Sequence, residues 1–97
     1  MIYTFHPAAE SEYLETIAYF EFKQPGLGVS FFAEFEKLLD SVCESPERYK
    51  LELGSTVRVA LMTRFPYSVH YRTVSGAVQV LAVAHQRRRP NYWLGRL

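Results

Sequence analysis

The side chains able to do acid–base or phosphate chemistry lie mainly in the second half of this 97-residue sequence. Histidine and tyrosine can move the protons that are transferred when an RNA 2′-hydroxyl attacks its own phosphate. Arginine can hold the charge that develops on phosphorus, and such a reaction needs no metal ion. Arg64, His85 and Tyr92 are therefore the candidates for a ribonuclease site. A local hydrogen bond at a strand end is the alternative role for each histidine.

The charges of the sequence are divided between its two halves. All ten acidic residues lie between Glu10 and Glu52, whereas residues 53–97 contain seven arginines and no acid. Either the halves neutralise each other within the fold, or a basic surface binds an anionic partner, which would be nucleic acid or an acidic protein. Tyr92 and Trp93 are also ambiguous, because aromatic side chains in a tail either stack on bases or pack onto the core. The candidate partner-binding residues are Arg58, Arg64, His70, Arg72, His85, Arg87, Arg88, Tyr92 and Trp93.

Length and composition predict one globular domain spanning residues 1–97. The aromatic content of 15% and the net charge of +1 exclude intrinsic disorder. The single cysteine, Cys43, excludes an internal disulfide and disfavours a structural zinc site, and we expect neither a metal nor a cofactor. No apolar run approaches the roughly 20 residues of a membrane span, and the N-terminus is not typical of a signal peptide. The cytoplasm is therefore the expected compartment.

Two amphipathic helices are predicted in the first half of the chain. Residues 2–6 are β-branched and aromatic, which favours a short strand, and a helix is predicted over residues 8–23. Turn-forming residues at 24–28 end that helix, and a second helix is predicted over residues 29–44, before Pro46. Helices joined by so short a turn should pack as a hairpin.

The period of the apolar residues changes to two in the second half, which predicts strands over residues 57–62, 67–72 and 77–84. The last of these is continuously apolar, as in a central strand that is buried on both faces. Short links make the three strands an antiparallel meander, and the N-terminal strand is expected at its edge. The predicted fold class is α+β, with the helical hairpin on one face of a curved four-stranded sheet.

The alternation of side chains along these strands assigns residues to the two faces of the sheet. The face under the helices should carry Val57, Val59, Leu61, Val69 and Tyr71. The opposite face should be open and basic, presenting Arg58, Arg64, His70 and Arg72.

Motifs along nearly the whole chain, in a fixed order, resemble one known family. The helical hairpin turns at residues 25–28, and Val57-Arg58 follows the loop after the helices. The most specific segments are residues 65–72 and residues 80–93, the latter closing with Tyr92-Trp93. In these features the chain resembles the RelE/ParE superfamily of toxins from bacterial type II toxin–antitoxin systems.

The resemblance implies a growth-inhibiting toxin that a small antitoxin neutralises by wrapping an acidic, extended segment around it. It also implies that the toxin–antitoxin complex binds its promoter DNA through the antitoxin. RelE-like members cleave messenger RNA in the ribosome with lysines, arginines and a C-terminal tyrosine or histidine, whereas ParE-like members inhibit DNA gyrase.

Residues 51–97 contain no lysine, and their pattern is closer to the ParE-like, plasmid-stabilisation branch. Gyrase inhibition by protein binding is therefore the leading expectation. The alternatives are a ribosome-dependent endoribonuclease that uses Arg64, His85 and Tyr92, and a degenerate member that binds its antitoxin without poisoning a target.

Overall fold

The computed structural model describes residues 1–52 and 54–97. A strand, two helices and four further strands follow one another, with short 3₁₀ helices at Pro46–Arg48 and Leu94–Arg96. The helices and strands are β1 (Tyr3–Phe5), α1 (Pro7–Lys23), α2 (Leu27–Glu44), β2 (Lys50–Leu51), β3 (Arg58–Leu61), β4 (Tyr67–Val74) and β5 (Ala77–His85).

Helix α1 begins where the sequence supplies both a cap and a proline. His6 precedes the helix, and its Nδ1 accepts a hydrogen bond from the Ala8 N–H at 3.1 Å. Pro7 occupies the first turn, where its missing N–H leaves no intrahelical hydrogen bond unmade. Both predicted helices are confirmed, and each begins one or two residues earlier than predicted. Neither helix in the described ranges is long and apolar enough to cross a membrane.

The two helices approach each other closely at their turn. Gly26 leads into α2 with a φ of 90°, a conformation that glycine adopts without steric cost. A Cβ on Gly28 would lie 2.6 Å from the Ile17 carbonyl oxygen, so a larger residue would force the helices apart. The Glu21 carboxylate accepts hydrogen bonds from the N–H groups of both glycines, at 2.8 and 3.0 Å. The hairpin turn therefore also satisfies N–H groups at the start of α2.

The strands form one mixed sheet in the order β1-β5-β4-β3-β2. Strands β3, β4 and β5 are the predicted antiparallel meander, and β1 lies at its edge, parallel to β5. The two-residue strand β2 pairs with Arg58 and Val59 and adds a fifth strand to the four predicted. The α+β class, with the helical hairpin on one face, is confirmed.

The main core lies between the helical hairpin and the sheet, and it is rich in aromatic rings. Phe31 and Phe35 of α2 are fully buried, and the Phe35 ring centroid lies 4.3 Å from that of Tyr13 on α1. Phe65, in the loop after β3, packs edge-on against Phe31 at 5.2 Å. The buried residues of this core that lie in β3, β4 and β5 are Ala60, Val69, Tyr71, Val78, Val80 and Val83, and Met62 directly after β3 joins them.

The predicted orientation of β3 is wrong, although that of β4 is right. Arg58 lies opposite Tyr71, which packs in the main core, so Arg58 points toward the helices as well. Its guanidinium donates to the Tyr49 carbonyl oxygen at 2.7 Å. Alternation could not orient this strand because apolar side chains line both of its faces. The residues predicted under the helices that instead lie on the other face are Val57, Val59 and Leu61.

The C-terminal tail, residues 86–97, covers the second face of the sheet. Trp93 is 1% exposed and packs there in a small apolar cluster with Val57, Leu81 and Ala82. A bulge in β5 makes Leu81 an extra residue, so the adjacent Leu81 and Ala82 both belong to this cluster. Strand β5 is buried on both faces, as predicted. The predicted open, basic face is wrong, because the tail packs over it.

Candidate functional site

A carboxylate on α1 holds the C-terminal tail in place. Glu12 accepts two hydrogen bonds from the Arg96 guanidinium, at 2.9 and 3.0 Å, and one from the Tyr92 hydroxyl at 2.9 Å. We call Glu12, Tyr92 and Arg96 the tail clip. Two donors of one guanidinium on one carboxylate give a directional contact, stronger than a single hydrogen bond between neutral groups.

The tail clip also closes the free edge of β5. Strand β1 ends at Phe5 and pairs with the first part of β5, which leaves the rest of that edge open. Glu12 accepts a hydrogen bond from the Val83 N–H at 3.0 Å, and Arg96 donates to the Leu81 carbonyl oxygen at 2.9 Å. Unpaired strand edges can pair with other chains, so the clip protects β5 from such contacts.

The contacts of Glu12 set its protonation state. Burial alone would raise the pKa of the carboxyl group, but hydrogen bonds from Arg96, the Val83 N–H and Tyr92 together hold this pKa below its ordinary value. Glu12 is therefore ionised at neutral pH and supplies the negative charge opposite Arg96.

The ring of Tyr92 lies close to two guanidinium groups. Arg88 is 4.0 Å from the ring centroid and Arg96 is 5.0 Å from it, which allows cation–π contacts with both. Burial and the hydrogen bond to Glu12 raise the pKa of the Tyr92 hydroxyl. A phenol that already donates to a carboxylate and resists ionisation is poorly suited to accept a substrate proton.

His70 lies next to Trp93 on the covered face of the sheet, and their ring centroids are 5.9 Å apart. His70 Nε2 is 3.0 Å from Ser68 Oγ. Its Nδ1 is 2.9 Å from Glu52 Oε1, but off the line of a directed hydrogen bond. Burial lowers the pKa of His70, and the carboxylates of Glu52 and Glu12 offset this effect only in part. A neutral His70 therefore supports Trp93.

The series Ser68, His70 and Glu52 has the order of nucleophile, base and acid found in hydrolases. Ser68, however, is 5% exposed, and its Oγ also lies 3.4 Å from the Ala84 carbonyl oxygen. Although Ser68 borders the space between the tail and the sheet, a hydroxyl that is this little exposed and already in contact with His70 and the Ala84 carbonyl is poorly placed to reach a substrate carbonyl. We therefore assign these three residues a structural role.

A cleft of about 370 Å³ lies between the tail and the sheet. The exposed arginines at positions 87–89, which we call the arginine turn, lie at its rim, and two of them line it together with His85. The Arg87 N–H donates to His85 Nδ1 at 3.0 Å, which orients the imidazole. Asn91 then reverses the chain with a φ of 61°, a conformation that asparagine tolerates better than most residues.

Two of the candidate arginines, Arg64 and Arg72, lie outside this cleft. Arg64 follows β3 and lines a groove beside α2, whereas His85 and Tyr92 line the cleft under the tail. Arg72 donates to the Gln79 side chain at 2.9 Å. The three residues proposed for a ribonuclease site are thus divided between two cavities, and one of them is engaged in the tail clip.

Among residues 1–52 and 54–97, no three His, Cys, Asp or Glu side chains converge closely enough to hold a metal ion. Cys43 packs against the main core, and burial raises the pKa of its thiol.

Sequence reasoning missed Glu12 and Arg96, which are 84 positions apart and share no local pattern. The one signal was the division of charge, because an acid-free half must find any counter-charge in the other half. Mutual neutralisation is the correct interpretation for Arg96, which pairs with Glu12. It does not account for the arginine turn, which stays exposed.

The comparison with protein families agrees with the architecture. A family model described as "ParE toxin of type II toxin-antitoxin system, parDE" matches residues 3–90. The match spans both helices, all the strands and the arginine turn, and it ends before the three tail residues Tyr92, Trp93 and Arg96. No match is found among the curated proteins. Since the family model covers nine-tenths of the sequence and the expected fold is present, the chain belongs to the ParE family of type II toxin–antitoxin toxins, which act with an antitoxin partner.

Proposed function

We propose that this toxin acts in the cytoplasm by binding DNA gyrase and inhibiting it, and that a cognate antitoxin neutralises it. The observation that carries the proposal is the tail clip. It engages the Tyr92 hydroxyl and the Arg96 guanidinium within the protein, while Arg64 lies in a different cavity. A protein whose candidate catalytic groups are committed or separated in this way is better suited to binding than to RNA cleavage.

The arginine turn is the surface that we propose for target binding. Its three guanidinium groups are exposed, and none forms an ion pair within the described part of the chain. A guanidinium group can grip a carboxylate at two points, which suits an acidic protein surface. Exposed charges of this kind chiefly raise association rates and select partners.

A supercoiling assay with purified gyrase tests the proposal. Excess toxin should stop the enzyme from introducing supercoils into relaxed plasmid. Reversing charge with Arg87→Glu and Arg89→Glu should weaken inhibition at least about tenfold. The control is Lys23→Glu, an exposed cation at the end of α1. Normal gyrase turnover at a large excess of wild-type toxin would reject the proposal.

The antitoxin half of the proposal has its own test. The gene next to that of the toxin should encode a short protein with a DNA-binding N-terminal part and an acidic C-terminal part. Its purified product should restore gyrase activity when it is added in equal amount to the toxin. Normal growth after induction of the toxin alone would indicate the degenerate, antitoxin-binding alternative.

RNA cleavage is the second candidate, and one observation favours it. His85 is exposed and lines the same cleft as two arginines of the arginine turn, so an imidazole and guanidinium groups could meet a phosphate there. If the toxin is a ribonuclease, primer extension on translated messages should show new ends, and His85→Ala should abolish them. If the toxin inhibits gyrase instead, neither the wild type nor His85→Ala should produce new message ends.

A further inference from the structure

The outer side of the helical hairpin exposes several apolar side chains. On α1, Leu14, Ala18 and Phe22 are spaced by four residues, which places them in one row along the helix. Phe22 is 89% exposed and Leu14 is 57% exposed. Phe32 of α2 is 48% exposed and, like these residues, does not belong to the main core. We call these four residues the hairpin patch.

The members of the hairpin patch lie close together because the two helices touch near their turn. A Cβ on Gly28 would lie 2.6 Å from the Ile17 carbonyl oxygen, and Phe32 follows one helical turn after Gly28. Phe32 therefore lies beside the middle of the α1 row. A single exposed apolar side chain needs no explanation, but a cluster of them marks a site of interaction.

The helices that carry the hairpin patch are strongly acidic. Residues 7–44 contain eight carboxylates and two lysines. Glu10 continues the α1 row one turn before Leu14, and Glu15 directly follows Leu14. Both acids are exposed, and neither forms an ion pair with a described residue. A surface that binds here should therefore combine apolar side chains with positive charge.

The C-terminal tail of the same chain has this combination. Residues 86–97 contain four arginines and no acidic side chain, and Leu94 and Leu97 are 53% and 54% exposed. The Arg88 guanidinium lies 4.0 Å from the centroid of the Tyr92 ring, which brings the arginine turn back beside the segment that carries the leucines. We call the arginine turn together with these two leucines the tail patch.

The hairpin patch and the tail patch cannot meet within one molecule. The helical hairpin packs on one face of the sheet, and the tail packs on the other. Two copies that join the hairpin patch of one to the tail patch of the other each keep one patch free. A contact of this kind continues as a row of molecules instead of closing as a symmetric dimer.

We infer that a second copy of this protein docks its tail patch onto the hairpin patch, so that the toxin assembles head to tail. Leu94 and Leu97 pack against the apolar side chains of the hairpin patch, and the arginine turn faces Glu10 and Glu15. The assembly covers the arginine turn, so it competes with any partner that binds there. The inference does not depend on what that partner is.

Sedimentation equilibrium of the purified toxin tests the assembly. At low salt, the weight-average mass should rise with protein concentration and pass twice the mass of one chain, because a head-to-tail contact does not stop at a dimer. Raising the salt from about 50 to about 500 mM should weaken the association at least about threefold, since salt screens exposed charges. A mass that stays at that of one chain at every concentration up to about 1 mM overturns the inference.

Two double variants remove one patch each. Leu14→Ser with Phe22→Ser removes apolar area from the hairpin patch, and these exposed positions are not needed for the main core. Arg87→Glu with Arg89→Glu reverses charge in the tail patch and leaves the contact of Arg88 with the Tyr92 ring in place. Each double variant should weaken self-association at least about tenfold.

Matched controls change similar residues elsewhere on the surface. Val74→Ser replaces an exposed apolar side chain at the end of β4. Arg48→Glu with Lys50→Glu makes the same change of charge beside β2. Both controls should associate within about threefold of the wild type. Equal association of the wild type, both double variants and both controls overturns the inference.

Mixing the two double variants distinguishes a head-to-tail contact from a symmetric one. Each variant keeps the patch that the other lacks, so an equal mixture should form a complex of two chains and nothing larger. If the hairpin patch binds the hairpin patch of another copy instead, the tail variant should assemble alone. That result overturns the inference, and so does a mixture in which the two variants do not associate.

Discussion

Removing the Glu12 carboxylate should destabilise the protein far more than removing any exposed acid of α1. Glu12→Ala leaves the Tyr92 hydroxyl and the Val83 N–H without their acceptor and the Arg96 guanidinium without its counter-charge. Breaking a buried ion pair by deleting one partner costs about 3–5 kcal/mol. Because the Glu12 and Arg96 side chains remain 18% and 17% exposed, we expect the lower end, about 3 kcal/mol.

Two further variants show how this loss of stability compares with the loss of the charge alone and with the loss of an exposed acid. Glu12→Gln keeps an acceptor oxygen for the Val83 N–H and loses the charge, so it should cost about 1–2 kcal/mol. Glu15→Ala, an exposed acid on the same helix, should change stability by less than about 0.5 kcal/mol. For a domain of this size, a loss of about 3 kcal/mol lowers the melting temperature by about 12–24 °C.

The assay is urea unfolding followed by circular dichroism and by tryptophan fluorescence. Trp93 is the single tryptophan of the chain, and it is the tail residue that is buried against the sheet, so its emission reports tail docking directly. The folded-state pKa of Glu12 is lowered, so its stabilising contribution is complete above the unfolded-state pKa of about 4.3 and is lost as the pH falls through the folded-state pKa. Glu12→Gln should remove that part of the acid sensitivity. A free energy of unfolding for Glu12→Ala within about 0.5 kcal/mol of the wild type would refute the reasoning.

Three further variants probe the rest of the fold. Trp93→Ala should cost about 3–5 kcal/mol in urea unfolding, because it removes the largest fully buried side chain; a cost below about 1 kcal/mol would contradict the packing described. Burial lowers the pKa of His70, so stability should fall as the pH drops below about 6.5; His70→Gln should flatten this dependence in pH-resolved unfolding, and His85→Gln should retain it. Gly28→Ala should cost about 1–3 kcal/mol, because its Cβ would meet a backbone oxygen at 2.6 Å, whereas Gly95→Ala, with nothing within 4 Å, should be nearly neutral in the same assay.

The helices and the order of the strands could be predicted because their signals are local. Phe31 and Phe35 recur at helical spacing, Pro7 starts a helix, and the turn around Gly26 interrupts the pattern. Each signal lies within a few residues of the structure it predicts, so no knowledge of tertiary contacts is needed.

The orientation of β3 and the docking of the tail could not be predicted for the opposite reason. Orienting β3 requires knowing which of its two faces the helices cover, and the packing of Trp93 over Val57 makes both faces apolar. The pairing of Glu12 with Arg96 depends on the tail returning across the sheet, which is a property of the whole fold. The arginines of the second half therefore led to the wrong prediction of an open, basic sheet face, although the arginine turn does stay exposed.

The most direct test of binding without RNA cleavage applies one toxin preparation to purified gyrase and to a translating extract. We expect supercoiling to fall with increasing toxin until it stops, to recover on addition of the antitoxin, and to be accompanied by no new message ends in the extract. Full supercoiling at saturating toxin, together with new message ends, would contradict the account.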